Sequence, residues 1–228
     1  PNLRPEMSHS VSASIDWAKK IGSWESNVTL EGFFTQLNDV FSLVENGHDA
    51  LGNLLLLRTN EKGARVYGMN LEGKVAYKSK FIFQLGYTYQ QSRYIEAVTW
   101  SENENIAPQK RMFRTPDHYG YFLCNIEPIK HFHIVTNGKL TGSMLVQHFA
   151  GYVEEDEEIE TPVFFEWDLK LCYDIPLYKH YTLEINAGVK NLLDHFQRDL
   201  DKGMDRDAGY VYGPATPRTF FAGINLKI

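Results

Sequence analysis

The 228-residue sequence predicts an all-β chain, an antiparallel meander of about nine long strands that forms a section of a transmembrane β-barrel. Three observations predict it. Apolar and polar residues alternate over segment after segment, which is the period of a strand with two unlike faces. Short and long connections alternate between those segments. Aromatic residues stand at the ends of several apolar rows, where amphipathic rings meet a membrane–water interface.

Taken in order, Val11, Ala13, Ile15 and Trp17 point one way in Ser10–Trp17, against Ser10, Ser12, Ser14 and Asp16. Asn27–Thr35 places Val28, Leu30 and Phe34 on its apolar side. In Tyr67–Tyr77, Tyr67, Met69, Leu71, Val75 and Tyr77 oppose Asn70, Glu72 and Lys74. Phe81, Phe83, Leu85, Tyr87 and Tyr89 form the next row. His118–Glu127 is a strand whose facing stays open, because both parities carry apolar residues. Phe132–Val146 alternates loosely. Phe165–Tyr173 and Tyr181–Val189 split cleanly, with every charge on one face. Phe220–Ile228 closes the chain in phase.

Short turns fall near Lys19–Ser23, Lys78–Lys80, Pro128–His131 and Ile175–His180; long loops fall near Phe41–Ala64, Gln91–Thr115, Ala150–Pro162 and Asp194–Arg218. In a meander this order puts all short turns at one end and all long loops at the other, the layout of short periplasmic turns and long external loops. A soluble β-sandwich alternates equally well, but its strands are shorter and its loop lengths have no reason to alternate. Tyr67 and Tyr77, Phe81 and Tyr89, and Phe165 and Tyr173 mark the row ends.

Composition agrees. Aromatic residues make up 14% of the chain and the net charge is −6 without a basic stripe, which argues against a nucleic-acid partner. Mean hydropathy is −0.36 and no apolar run reaches the ~18 residues of a membrane helix. Spanning strands escape that test, since only every second residue is apolar. Cys124 and Cys172 fall on strands separated by one further strand, too far apart for a disulfide, and are expected to be free thiols. The chain starts at Pro1 with no leader segment, and the expectation is that preceding sequence has been removed. One domain, residues 1–228, is expected.

Four stretches in chain order carry a family resemblance. Asn2-Leu3-Arg4-Pro5-Glu6, Arg114-Thr115-Pro116-Asp117-His118 with Gly120-Tyr121-Phe122, Lys190-Asn191-Leu192-Leu193-Asp194 after Gly188-Val189, and Tyr210 to Thr219 resemble elements of TonB-dependent receptors. The resemblance implies an ~22-stranded outer-membrane barrel around an N-terminal plug, energised through TonB, of which this chain is the C-terminal portion. Plug and upstream strands are absent, and the last residue is Ile228 where many outer-membrane proteins end in Phe. An excised wall section leaves two open strand edges and is expected to pair edge to edge with a copy of itself or to curl into a non-native closure.

The implied function is active uptake of a scarce nutrient, such as a siderophore–iron complex or cobalamin, with TonB, the nutrient and outer-membrane lipid as partners. A surface binding protein or adhesin without transport is the alternative. No enzyme is expected, since nucleophile, phosphate-loop and zinc spacings are missing and His118, His148 and His195 lack a paired nucleophile; no cofactor is expected either. Tyr94, Trp100, Phe113 and Tyr152, on or near long loops, are candidate ligand contacts, because ring faces offer large contact area; loop packing is their other reading. His131 and His133 are spaced as strand neighbours on one face, but no third metal ligand stands near in sequence. Glu154–Glu160 is read as a solvated, self-repelling acidic loop, and Asp199, Asp201, Asp205 and Asp207 as turn residues. The inward polar rows are expected to hydrogen-bond the plug.

Overall fold

The computed structural model describes residues 3–48, 51, 54–178 and 180–227. Asn2 of the first family-like element, Lys179 of the last short turn and the terminal Ile228 lie outside the described residues. Among the described residues fourteen strands occur: β1 (Met7–Ile21), β2 (Trp24–Asn38), β3 (Val40–His48), β4 (Leu54–Glu61), β5 (Ala64–Tyr77), β6 (Phe81–Val98) and β7 (Gln109–Arg111). The rest are β8 (His118–Ile129), β9 (Phe132–Thr141), β10 (Leu145–His148), β11 (Glu157–Glu160), β12 (Phe164–Pro176), β13 (Thr182–Lys190) and β14 (Thr219–Lys227).

Nine of them form one antiparallel sheet in the order β1-β2-β5-β6-β8-β9-β12-β13-β14, with β7 added beside β6. This is the expected all-β meander. The register keeps like faces together: Ile15 lies opposite Leu30, Leu30 opposite Leu71, and Leu71 opposite Tyr87. On the other face Asn70 Nδ2 donates to Glu31, and Thr88 Oγ1 donates to Asn70. A spanning strand needs only ~9–11 tilted residues, so β1, β2, β5 and β6 rise well beyond the hydrocarbon at the long-loop end.

Among the described residues no second layer covers the apolar face. Val11 and Ile15 are 73% exposed and Ile224 69%. Tyr181 and Ile185 are also exposed; Val189 alone in that row is buried, between Leu169 and Phe220 across the sheet. Trp167 faces the same side, and its indole N–H donates to Thr136 Oγ1 at 2.7 Å, so the ring carries no unsatisfied donor there. The buried apolar cluster (Met144, Val146, Tyr210) sits in the long connections, not in the sheet. A sheet of this length with bare aliphatic rows is stable only where lipid replaces water beside it.

Pairing settles β8. Tyr87 opposite Gly120, Leu85 opposite Phe122 and Phe83 opposite Cys124 place Gly120, Phe122 and Cys124 on the apolar face, and Tyr119, Tyr121 and Leu123 on the polar one. Two glycines make room for this. The Tyr121 ring lies over Gly86, and the Phe122 ring lies over Gly138 so closely that an added Cβ would meet it at 2.2 Å. Phe165 stacks beyond, with ring centroids 6.3 Å apart. Gly138→Ala is therefore expected to cost about 1–3 kcal/mol by overpacking. Unfolding measurements on Gly138→Ala alone and with Phe122→Ala would check it, since removing the ring should relieve the clash. Cys124 and Cys172 are free and lie on opposite faces of the sheet.

Four regions differ from expectation. Phe132–Val146 is not one strand: β9 ends at Thr141, Gly142 N–H bonds to His118 O, and the chain leaves the sheet before β10. Its loose alternation arose because Met144 and Val146 point into the loop cluster. The Gln91–Thr115 connection is shorter than expected, as β6 continues to Val98. The Phe41–Ala64 and Ala150–Pro162 regions are not plain loops, since the β3–β4 and β10–β11 hairpins occupy much of them. The four-residue strands of the latter are too short to show a period.

Candidate functional site at the long-loop end

The connections above β6, β9 and β13 pack into one layer. Its apolar part is Met144, Val146 and Tyr210 with Ile159 and Tyr212 against them. The β10–β11 hairpin is closed by Thr161, whose N–H donates to Met144 O and whose Oγ1 accepts from Met144 N–H. His148 stacks on Tyr210 with ring centroids 3.7 Å apart, and its Nε2 lies 2.9 Å from Asp201 Oδ2. Asp201 also accepts from Asp207 N–H.

The 191–218 connection has no strand, so side chains satisfy its backbone. Gln197 Oε1 accepts from the N–H groups of Tyr212 and Gly213, while its Nε2 donates to Tyr210 O. Asn191 Nδ2 donates to the carbonyls of His195 and Thr216, and its Oδ1 accepts from His195 N–H. Asp194 accepts from Arg218 N–H. From the neighbouring loop, Arg114 donates to the carbonyls of Gly209 and Val211. Asp199, Asp201 and Asp207 thus do more than shape turns: each receives a hydrogen bond across the loop layer.

Asp199 accepts from the hydroxyls of Tyr210, at 3.0 Å, and Tyr212, at 2.7 Å. Burial works against ionising this carboxyl, but hydrogen bonds from Tyr212, Tyr210, its own backbone and Gln197 outweigh it and hold the group below its ordinary 3.8. Burial first, and then the Asp199 hydrogen bond and charge, push Tyr210 up to about 12. Tyr212 is raised in the same way. Asp199 binds its proton more weakly when the loop is docked, so its contribution is complete above the ordinary value and fades as pH falls through the lower docked one. Tyr210 binds its proton more tightly when docked, so its contribution is complete below 10.0 and fades as pH rises toward about 12. Phenolate absorbance should show tyrosines titrating late, and Tyr210→Phe should reduce the late amplitude while Tyr212 continues to contribute to it.

The acidic run keeps Glu154, Glu155, Glu157 and Glu160 exposed, as the solvated reading expects, but several of its carboxylates are also partnered. Arg111 pairs with Glu160 at 2.6 Å, Gln109 and the Trp100 indole donate to Glu158, Ser101 donates to Asp156, and Asn103 donates to Glu155. Self-repulsion is overcome because the 100–111 segment supplies a donor to each of these carboxylates. Trp100 and Phe113 meet edge to face at 5.7 Å, with Phe149 completing the trio at 5.5 Å from Trp100. Tyr94 stands half-buried on β6, and Tyr152 is 52% exposed on the turn after the Ala150 bridge; neither shares a ring contact with that trio. His131 and His133 do not act as strand neighbours, because His131 lies in a turn with φ 72°, while His133 reaches Asp174 at 3.4 Å. Among the described residues, no group of three or more His, Cys, Asp or Glu could hold a metal ion.

Beneath the loop layer, the polar face holds a cleft of about 840 Å³ lined by Gln90, Arg114, Tyr119, Tyr121, Lys139 and Glu72 among others. Two cations, one carboxylate and three tyrosines, Tyr87 among them, equip it for a partly aromatic surface that carries charge. Arg114 had been noted only within a sequence motif, and Gln197, His148 and Asp199 carried no recognisable spacing as a set.

A meander with one bare apolar face, one hydrogen-bonded polar face and all long connections at one end defines a wall section of a membrane β-barrel. The profile of the TonB-dependent receptor-like β-barrel family matches residues 1–192, and the chain belongs to that family. No curated protein sequence matches it. Among solved structures it is similar to the ferric-catecholate import receptor Fiu from Escherichia coli (18% identity, 98% of this chain, 28% of that chain, TM-score 0.67). It is also similar to FpvA of Pseudomonas aeruginosa, solved with ferric pyoverdines (12% identity, 97% and 27%, TM-score 0.63). A third is the FrpB iron transporter from Neisseria meningitidis (13% identity, 98% and 31%, TM-score 0.57). The chain thus spans about three tenths of the length of each.

Proposed function

We propose that this chain is the C-terminal wall of an outer-membrane receptor that imports iron bound to a siderophore-type chelator. In this reading a plug and a TonB-contacting segment belong to sequence outside the chain, and the inward polar rows hydrogen-bond the plug. The observation that carries it is the ordered layer of long connections at one end of a lipid-facing sheet, in a member of this receptor family. Solved neighbours described as a ferric-catecholate import receptor, a receptor bound to ferric pyoverdine and an iron transporter favour an iron complex over cobalamin. Tyr94, Trp100, Phe113 and Tyr152 are the proposed ring contacts at the loops. The exposed Tyr152 is the one whose loss would alter ligand contact without loosening the loop layer.

A strain deleted for the gene should fail to grow on one ferric chelate under iron limitation and recover when the gene is returned. Normal growth on catecholate, hydroxamate and citrate chelates, together with normal cobalamin use, would overturn the import reading. In the complemented strain Tyr152→Ala should weaken chelate binding about two- to tenfold, the worth of one aromatic contact; unchanged binding would remove Tyr152 from the contact set.

A further inference from the structure

The two ends of the sheet differ in charge as well as in loop length. At the long-loop end Glu154 to Glu160 and the aspartates of residues 199–207 dominate. At the short-turn end the exposed charges include Lys19 and Lys20 closing β1 with Glu25 opposite, Lys78 and Lys80 in the β5–β6 turn, Lys130 in the β8–β9 turn and Lys227 ending β14. The carboxylates there are already engaged. Glu25 pairs with Lys20, Glu127 accepts from His131 N–H, and Asp174 holds Lys227 and His133. Lys19, Lys78, Lys80 and Lys130 have no ion-pair partner among the described residues.

These ammonium groups stand directly beyond a belt of rings. Trp24, 48% exposed, packs on Tyr77 at 4.8 Å and Phe81 at 6.2 Å. The Lys78 ammonium lies 5.4 Å from the Tyr77 ring centre. Lys19 continues the parity of Val11, Ile15 and Trp17, so it leaves the sheet on the apolar side. Along β1, β5 and β6 the order is aliphatic row, ring, lysine. Rings of this kind settle at the interface, and a lysine one step further lies at headgroup depth, where its stem can snorkel along apolar surface.

We propose that the short-turn end is a binding surface for anionic phospholipid headgroups of the phosphatidylglycerol type, engaged by Lys19, Lys78 and Lys80 around Trp24. The inference rests on the membrane-wall reading. Unpaired lysines near an anionic leaflet each strengthen binding about fivefold at low salt, and the effect falls within a Debye length. Placed at headgroup level, they select for charge in the lipid without any enclosed pocket.

The full receptor, reconstituted in vesicles, would report this through Trp24 quenching by brominated phosphatidylglycerol or brominated phosphatidylcholine, taken as the difference from Trp24→Phe. The anionic lipid should quench at several-fold lower mole fraction, and added salt should shrink the gap. The triple variant Lys19→Gln, Lys78→Gln, Lys80→Gln should bring the two lipids to parity while phosphatidylcholine still quenches. The corresponding triple arginine variant should restore the preference. Equal quenching of the unaltered protein by both lipids would overturn the headgroup proposal and leave the wall reading intact. A preference that survives the glutamine variant would overturn the assignment to these lysines. Absence of quenching by either lipid would sink the wall reading, and the proposal with it.

Discussion

Replacing Asn191 with alanine should open the last long connection at a cost of about 3–5 kcal/mol. The side chain makes three hydrogen bonds to backbone groups on both limbs of the loop, each worth about 1 kcal/mol net and more when a buried partner is left unsatisfied. The residue is 5% exposed, so water does not readily replace those bonds. Its φ of 51° adds about 1 kcal/mol or more of strain for alanine, which has no side chain to offset the left-handed backbone. Asn191→Gly should lose the bonds without the strain and fall in between. Protease cleavage within residues 194–218 of the membrane-inserted receptor measures the open population. Cleavage rates unchanged in the alanine variant would show that the loop is held by something else.

Ile185→Arg should destabilise the inserted protein by about 1–3 kcal/mol, the cost of a guanidinium on the lipid side between the interface and the middle of the bilayer. Ile185 lies midway along β13, between Tyr173 and Ile224, and is 45% exposed. An equally exposed isoleucine on a protein surrounded by water would accept arginine within about 0.5 kcal/mol. Ser12→Arg, on the polar face of β1, should be nearly neutral in the same vesicles. Denaturant unfolding of both variants from lipid vesicles decides the matter: equal small costs would mean that the apolar rows do not face hydrocarbon.

The wall could be read from residues because lipid imposes one demand along the whole length of a strand. Tyr181, Leu183 and Ile185 alternate with Thr182, Glu184 and Asn186, and the strand falls within one residue of that pattern. β8 could not be oriented, because Gly86 admits the Tyr121 ring on the polar side and so places apolar residues on both faces. The loop layer was illegible for a different reason. Gln197 and Asn191 satisfy backbone groups many residues away, and Asp199 accepts from two distant phenol hydroxyls, tasks with no period and no spacing. The acidic run was legible only in part, because repulsion among its own carboxylates is visible in sequence, while the donors from Trp100 to Arg111 are visible only after folding. The Lys-Asn-Leu-Leu-Asp stretch was noticed by resemblance alone. Its physical content is that Asn191 and Asp194 both adopt left-handed backbone and fasten the two ends of the connection.

One property of the nine-strand path constrains any assembly it enters. Successive strands run in opposite senses, so β1 and β14, at the two margins, both travel from the long-loop end to the short-turn end. A rotation about the bilayer normal leaves such a direction unchanged. Two copies inserted the same way up could therefore join margin to margin only with strands running in the same sense, unlike every other pair in the sheet. The usual alternation survives only if an upward-running strand meets each margin, which means an odd number of additional strands and an even total around the ring.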